Sequence, residues 1–240
     1  MAISSRPRSV AGRLAPLLPE PLLDRARLAA ARRLELRARR SPAVRGAALV
    51  LHAVAPHGGD PLLEVDPPLA VARLDEIVGH LTRSYALVHA GALPGAARSR
   101  RAGEPLPVAL TFDDDLASHL AHAAPVLRRH GAVATAFLCG ADGPFWWQLL
   151  QAAVDERAID ARALPGIEPQ LVAGALERRP RAIHGLAKAI EDLAPAERDA
   201  VAGALAQATP TRPPVLGRDG ARALADAGWE IGFHTRRHHV

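Results

Sequence analysis

The sequence predicts an α/β fold built on parallel strands, and three observations lead to this prediction. Segments 107–112 (PVALTF) and 132–138 (AVATAFL) are short apolar runs typical of buried strands. The segment between them has a helical pattern, and strand, helix, strand over about 30 residues is a βαβ crossover with parallel strands. The stretch 144–208 is almost wholly helical, too long for an ordinary crossover, and therefore predicts a helical insertion.

The other elements follow from periodicity and from turn residues. Leucines alternate with arginines over 21–40, which predicts a basic amphipathic helix. The apolar run 47–54 predicts a further buried strand, and the polar, Gly-containing segment 96–104 predicts a surface loop. The remaining predicted elements are a helix at 67–81, a strand at 85–88, helices at 116–130 (closed by Gly131), 168–178, 181–193, 195–208 and 219–227, and a strand at 229–233.

The positive charge of the chain is concentrated at its N-terminal end. Residues 1–45 hold 11 Arg and three acidic residues, whereas the other 195 residues hold 19 basic and 22 acidic groups. We therefore infer no nucleic-acid partner, and divide the chain into a basic helical arm (1–45) and an α/β domain (46–240) with a helical insertion at about 141–217. The arm fits a solvated helix, which we favour because its apolar stripe is interrupted, or weak contact with an anionic membrane surface.

Composition excludes several classes of protein. At 240 residues and 49% hydrophobic content the chain can form a sizeable core. The single Cys139 excludes a disulfide scaffold and a thiolate zinc cage, so a metal site would use His and carboxylate ligands. No apolar run approaches the roughly 18 residues of a membrane span, and the N-terminus lacks the apolar core of a secretory signal. These features predict a cytoplasmic location, with any membrane contact peripheral.

The residues with the clearest chemistry follow two predicted strands. Functional groups in α/β folds gather at the carboxyl ends of the strands, where this sequence has Asp113, Asp114 and Asp115 after one strand and His234 and His238 after another. Three adjacent carboxylates repel one another unless a cation or a shared proton relieves them. One of these carboxylates with two imidazoles spaced i, i+4 would make a ligand set for zinc or a similar divalent metal.

These residues resemble two motifs of a known family. LTFDDD at 110–115, followed by APVLRRHGAVATAFL, is similar to the first motif of the polysaccharide deacetylases, also called carbohydrate esterase family 4 or NodB-homology enzymes. GWEIGFHTRRH at 228–238 is similar to their second motif, His-Thr/Ser-x-x-His, and VLHAVAP near residue 50 resembles the strand that opens many members. The resemblance implies a partial (β/α) barrel of the NodB type, here with a helical insertion and a basic N-terminal helix.

The resemblance also implies a role for each motif residue. Asp113 would be the general base, and Asp114, His234 and His238 would bind a divalent metal, expected to be Zn2+. Thr235 would support the turn between the histidines. The implied activity is hydrolysis of N-acetyl or O-acetyl groups from a polysaccharide or amino sugar, so the expected partner is an N-acetylated glycan.

The sequence departs from the family pattern at two places. Asp115 occupies a position that is often Gly, which we expect to be a minor change. The family's later motifs, an Arg-Pro pair, a Trp-containing segment and a late histidine, have no counterpart before Val240. This predicts a chain truncated before those motifs, with its metal ligands present, its barrel unclosed and low activity on its own.

Other functions fit parts of the same pattern. A phosphatase of the haloacid-dehalogenase type would use Asp113 as nucleophile with Asp115, but it needs a lysine, and the only lysine, Lys188, lies in the insertion. A glycosyltransferase could bind a metal through Asp-x-Asp but leaves the two histidines unexplained. A non-catalytic glycan-binding remnant would keep the metal without turnover.

Several further side chains could serve either the site or the packing. His119, His122 and His130 are expected on a polar helix face, and His239 is a less favoured competitor of His238 for the metal. Trp146 and Trp147 fit stacking on sugar rings and packing of the insertion equally well. Cys139 is expected to be an inert core thiol.

Overall fold

The structure is a computed structural model that describes residues 20–41, 43–160 and 162–235. Its strands are β1 (Ala47–Leu51), β2 (Val54–Ala55), β3 (Leu69–Ala70), β4 (Ala86–Val88), β5 (Pro107–Asp113), β6 (Thr135–Leu138) and β7 (Glu230–Phe233). Its helices are α1 (Glu20–Arg40), α2 (Val71–Ser84), α3 (Leu93–Ser99), a π-helical turn (His119–Ala123), α4 (Ala124–His130), α5 (Trp146–Asp155), α6 (Pro169–Leu176), α7 (Ala182–Glu191), α8 (Pro195–Ala208) and α9 (Gly217–Asp226).

Five of the strands form one parallel sheet. Their order is β1-β5-β6-β7, and β4 also pairs with β5, while β2 and β3 form a separate two-stranded parallel sheet. The predicted α/β class and the βαβ crossover from β5 to β6 are confirmed. Within the described residues β1 and β7 do not pair with each other, so the helix-flanked strands form a partial (β/α) barrel.

The central strand β5 is buried along nearly its whole length. Val108, Leu110 and Phe112 all lie in the main hydrophobic core, which α2 and α4 also line. A continuous apolar run is the pattern expected for a parallel strand covered on both faces. The Phe112 ring packs against the Trp229 indole with 4.9 Å between ring centroids, which ties β5 to the start of β7. This core fixes the position of the residues that follow β5.

Two local predictions are wrong. The segment 47–54 was expected to be buried, but Leu49 and Val50 of β1 are 38% and 56% exposed. β1 lies at the end of the sheet order, where fewer elements can cover its side chains. The expected loop at 96–104 begins inside α3, because the small, Ala-rich segment LPGAARS with Pro94 in its first turn favours a helix.

The helical insertion has a hydrophobic core of its own. Helices α5, α6, α7 and α8 surround buried aliphatic side chains that are separate from the core under the sheet, among them Leu150, Val172, Ile183, Leu186, Ile190 and Leu205. The predicted helices of the insertion are confirmed, with ends shifted by a few residues. This second core packs α5, α6, α7 and α8 against one another.

The arm helix α1 contacts the rest of the protein through Glu35. Its carboxylate accepts a hydrogen bond of 2.7 Å from the Tyr85 hydroxyl and lies 2.9 Å from Nε2 of His80. Leu34 and Leu36 beside it are largely exposed. No helix in the described part of the chain combines the length and the apolar character needed to span a bilayer.

Candidate active site

The three aspartates at the end of β5 lie in three different environments. Asp113 is the last residue of β5 and is half-buried. Asp114 follows with a left-handed φ of 73° and its residue is 1% exposed, and Asp115 is 3% exposed. Asp tolerates the left-handed region better than most residues, and such conformations cluster at functional sites. In a regular strand the three side chains would alternate between the two faces of the sheet. The turn at Asp114 changes this, so the three carboxylates lie in different surroundings.

The Asp115 carboxylate binds the backbone at the end of β6. Its Oδ2 accepts a hydrogen bond of 2.8 Å from the Cys139 amide, and its Oδ1 accepts one of 3.2 Å from the Gly140 amide. Its own carbonyl oxygen accepts a hydrogen bond of 2.8 Å from the Leu216 amide. An Asp in place of Gly was expected to be a minor change; in the structure its side chain joins two neighbouring strand ends.

The structure brings Asp114 and His234 together. Nε2 of His234 lies 3.9 Å from Oδ1 of Asp114. Strand β6 lies between β5 and β7 and holds both residues, because the Phe137 carbonyl accepts a hydrogen bond from the Asp114 amide and the Leu138 carbonyl accepts one from the His234 amide, each 3.0 Å long. Two strand ends that are 120 positions apart in sequence thus meet at one edge of the sheet.

The other predicted residues of the second motif are only partly described. His238, the predicted third ligand, and its competitor His239 lie outside the described residues, so their roles stay predictions. Thr235 is described, and its buried Oγ1 has no hydrogen-bond partner there. No group of three His, Cys, Asp or Glu side chains within residues 20–41, 43–160 and 162–235 forms a metal-binding cluster.

The Asp114 and His234 pair fits a divalent metal. Carboxylate oxygen and imidazole nitrogen are zinc ligands with bonds of about 2.0–2.2 Å, so two atoms on one ion lie at most about 4 Å apart. The observed 3.9 Å is within that limit but longer than the roughly 3.4 Å of a tetrahedral site, so the two atoms would move slightly closer on binding an ion. The Asp114 side chain is 1% exposed, and a carboxylate so deeply buried is costly unless a positive charge compensates it. The His234 side chain stays 29% exposed, which leaves the pair reachable from solvent.

Cys139 lies directly behind the Asp114 carboxylate. Its Sγ is 3.8 Å from Oδ1 of Asp114, and burial raises the pKa of the thiol to about 12, with the charges of Asp114 and Asp115 adding to the effect. The thiol is therefore neutral at physiological pH and can donate a weak hydrogen bond to the carboxylate. The expectation of an unreactive buried cysteine is confirmed.

His119 is fully buried, so its expected place on a polar helix face is wrong. Its ring meets the Phe112 ring edge-on at 5.4 Å, and its Nε2 lies 3.3 Å from the His52 carbonyl oxygen. Burial lowers its pKa to about 4, which keeps the ring neutral. The ring belongs to a π-helical turn just before Pro125, which has no N–H to give to the helix. His119 shares the buried face of this segment with Ala123, Val126 and Leu127.

A cavity of about 340 Å³ opens beside Asp114. His52 and Asp66 line it on the sheet side, with Nδ1 of His52 3.3 Å from Oδ2 of Asp66, and Trp146 and Trp147 line it on the insertion side. Its volume is within the range of small-molecule sites, about 300–1,000 Å³. Sequence reasoning missed His52, although its place just after β1 puts it at the same carboxyl edge of the sheet as the aspartates.

Comparisons with known proteins agree with the first motif. Residues 100–161 match the profile of the family described as "Polysaccharide deacetylase". This range contains β5, the three aspartates and β6. A comparison with curated protein sequences found no match.

Two solved structures show a distant likeness. A de-N-acetylase from Aggregatibacter actinomycetemcomitans is similar at 15% identity and a TM-score of 0.40, over 81% of this chain and 56% of its own length. The Streptococcus pyogenes deacetylase PplD, solved in complex with acetate, is similar at 14% identity and a TM-score of 0.35, over 67% of this chain and 80% of its own. The chain thus spans just over half the length of the first protein.

The family match falls on the strand and the aspartates that carry the first motif, and it confirms the resemblance drawn from that motif. Residues 100–161 of this chain are thus similar to the polysaccharide deacetylase family.

Proposed function

We propose that this protein is a metal-dependent hydrolase that removes N-acetyl or O-acetyl groups from a saccharide. The observation that carries the proposal is the approach of the buried Asp114 carboxylate and the His234 imidazole at the carboxyl edge of the sheet, 3.9 Å apart. The family match supports a deacetylase. His238 would complete the ligand set, with Zn2+ as the expected ion.

The residues around the pair supply the remaining chemistry. A bound divalent ion would activate water and polarise the acetyl carbonyl. Asp113 is the general base that accepts a proton from the attacking water, because it is half-buried at the strand end and remains reachable. Asp115 fixes the loop that follows β6, and β6 holds Asp114 and His234 in register. Water and the acetylated sugar yield acetate and the free amine or hydroxyl.

The phosphatase alternative is weaker on this geometry. It needs Asp115 as a second acid, yet both oxygens of Asp115 already accept backbone hydrogen bonds. It also needs a lysine at the nucleophile, whereas Nζ of Lys188 pairs with Asp192 at 2.9 Å. Of the three aspartates, Asp114 is the one that lies near His234, and the phosphatase mechanism does not use Asp114.

The proposed function is tested by acetate release. The purified chain, loaded with zinc, is incubated with tetra-N-acetylchitotetraose and with an aryl acetate ester, and acetate is measured. We expect release by the wild type and a loss of at least about 100-fold in Asp113→Asn, with zinc binding retained. Equal rates in both proteins would contradict the proposal. Zinc binding without any acetate release would instead indicate a non-catalytic glycan-binding protein.

A further inference from the structure

We propose that α5 and α7 of the helical insertion form a saccharide subsite beside Asp114, and that α7 determines which uncharged, N-acetylated sugar chain it accepts. The inference rests on the proposed function and adds to it the place of the sugar rings. Helix α7 lies outside residues 100–161, which match the family profile. Specificity would therefore come from a part of the chain beyond that match.

The cavity beside Asp114 has one wall from the sheet and one from α7. His184, Lys188 and Glu191 of α7 line the same cavity of about 340 Å³ as Asp114 and His52. A ligand in this cavity would thus touch both the candidate metal ligand and the insertion.

Helix α7 has two distinct faces. Its apolar face, with Ile183, Leu186 and Ile190 fully buried, packs into the core of the insertion. His184, Lys188 and Glu191 are spaced i, i+4, i+7 and are exposed on the cavity side. The apolar face alone is sufficient to dock the helix. The polar stripe is therefore available for hydrogen bonds to sugar hydroxyl and acetamido groups.

Two indoles complete this wall. Trp147 is 8% exposed and stacks on Phe145 with 6.0 Å between ring centroids, so its position is fixed. Trp146 is half-buried and lines the cavity beside it. Large flat rings with a polar edge suit the apolar face and the polar rim of a pyranose. Trp146 is the residue on which we place the sugar ring.

The charges of the cavity select an uncharged ligand. Asp66, Asp114 and Glu191 line it with three carboxylates. Lys188, the one Lys or Arg among its lining residues, already pairs with Asp192 at 2.9 Å. A divalent ion on Asp114 would compensate that carboxylate, which leaves Asp66 and Glu191 to disfavour a uronic acid or a sugar phosphate, whereas a neutral N-acetylated sugar would not be disfavoured.

The ligand is expected to be longer than one sugar. A second cavity of about 380 Å³ shares Asp66 and Trp147 with the first, so the two adjoin. It extends between the β2–β3 segment and α5, with Gln148 and Gln151 on its wall. Two adjoining cavities of this size match consecutive rings of an oligosaccharide.

The subsite is tested by binding. The full chain is titrated with tetra-N-acetylchitotetraose by isothermal calorimetry, in the wild type, in Trp146→Ala, and in the double variant His184→Ala, Lys188→Ala. We expect both variants to bind about tenfold more weakly or worse, which corresponds to the loss of one good aromatic or polar contact. Trp146→Phe keeps a flat ring and should recover most of the affinity.

Matched controls separate binding from folding. The exposed pair Glu177 and Arg179 belongs to the same insertion but does not line the cavity, so Glu177→Ala, Arg179→Ala should bind like the wild type. Melting curves of all variants are recorded, and His184 and Lys188 are exposed, so their replacement should leave the melting temperature unchanged.

The outcomes distinguish this inference from the proposed function. Unchanged affinity in Trp146→Ala and in the α7 double variant, no binding by the wild type, or tighter binding of an anionic oligosaccharide would each overturn the subsite. Variant-sensitive binding without acetate release would support the subsite and contradict the hydrolase. Acetate release with KM unaffected by the α7 variants would support the hydrolase and overturn the subsite.

Discussion

The amide of Cys139 donates a hydrogen bond of 2.8 Å to Oδ2 of Asp115, and this contact joins the ends of β5 and β6. The same carboxylate accepts a second bond from the Gly140 amide, and Asp115 is 3% exposed. Its removal would leave two donors without their acceptor. We call these two hydrogen bonds the Asp115 clamp. Because Asp114 immediately precedes Asp115, the clamp also determines where the candidate metal ligand lies.

The first prediction concerns this clamp. Asp115→Ala should lower the free energy of unfolding by about 1–3 kcal/mol, because the buried Cys139 N–H loses its partner, whereas the exposed Gly140 amide can bond to water. Urea denaturation followed by circular dichroism measures the change. Asp219→Ala is the control, since the Asp219 side chain is 96% exposed, and it should change the stability by less than about 0.5 kcal/mol. Equal stability of the two variants would show that the clamp contributes nothing.

The second prediction uses the backbone of Asp114. Asn tolerates a left-handed φ of 73° nearly as well as Asp, whereas Ala in that region costs about 1–2 kcal/mol. Without zinc, Asp114→Ala should therefore be less stable than Asp114→Asn by about 1–2 kcal/mol. Both should lose zinc. Retention of zinc at wild-type affinity by Asp114→Asn would argue against Asp114 as a ligand.

The third prediction concerns pH. The pKa of His119 is lowered by burial from 6.5 to about 4. Between pH 6.5 and pH 4 the unfolded chain binds a proton on His119, whereas the folded protein keeps this ring neutral. The contribution of His119 to stability is therefore fully present above pH 6.5 and declines as the pH falls to 4. The loss amounts to about 3 kcal/mol.

This pH effect is measured by urea denaturation between pH 4 and pH 7 in the wild type and in His119→Gln, which cannot titrate there. The stability of His119→Gln should depend less steeply on pH in the window from 6.5 to 4. His57→Gln is the control, because His57 is exposed, and its pH dependence should match that of the wild type. Parallel curves for wild type and His119→Gln would contradict the burial argument.

Much of the sheet could be predicted from the sequence because its signals are local. The run PVALTF, the helix closed by Gly131 and the second apolar run give the β5–β6 crossover directly. That Asp114 and His234 lie at one edge follows from a general property of parallel sheets, whose strands all end on the same side. These features follow from hydrophobic periodicity and from the order of the elements along the chain, and both can be read from the sequence.

The other features depend on contacts between distant segments. The clamp of Asp115 reaches across to Cys139 and Gly140, which no local pattern indicates. The exposure of Val50 depends on which elements cover the sheet. The burial of His119 depends on its contacts with the Phe112 ring and the His52 carbonyl, which lie in other segments of the chain. The cavity wall on α7 arises only when the insertion packs over the strand ends.

The most direct test of the account is the zinc stoichiometry and affinity of the wild type and of His234→Ala, by elemental analysis and calorimetric titration. His89→Ala is the matched control, because His89 is exposed and its Nε2 lies 3.1 Å from the Gly228 carbonyl oxygen, away from the aspartates. We expect about one zinc ion per chain in the wild type and the control, and an affinity loss of more than about 100-fold in His234→Ala. A residue that only supports a metal ligand through a hydrogen bond would cost about 10–100-fold when replaced. Binding of zinc by His234→Ala at wild-type affinity would contradict the assignment of this strand edge as a metal centre.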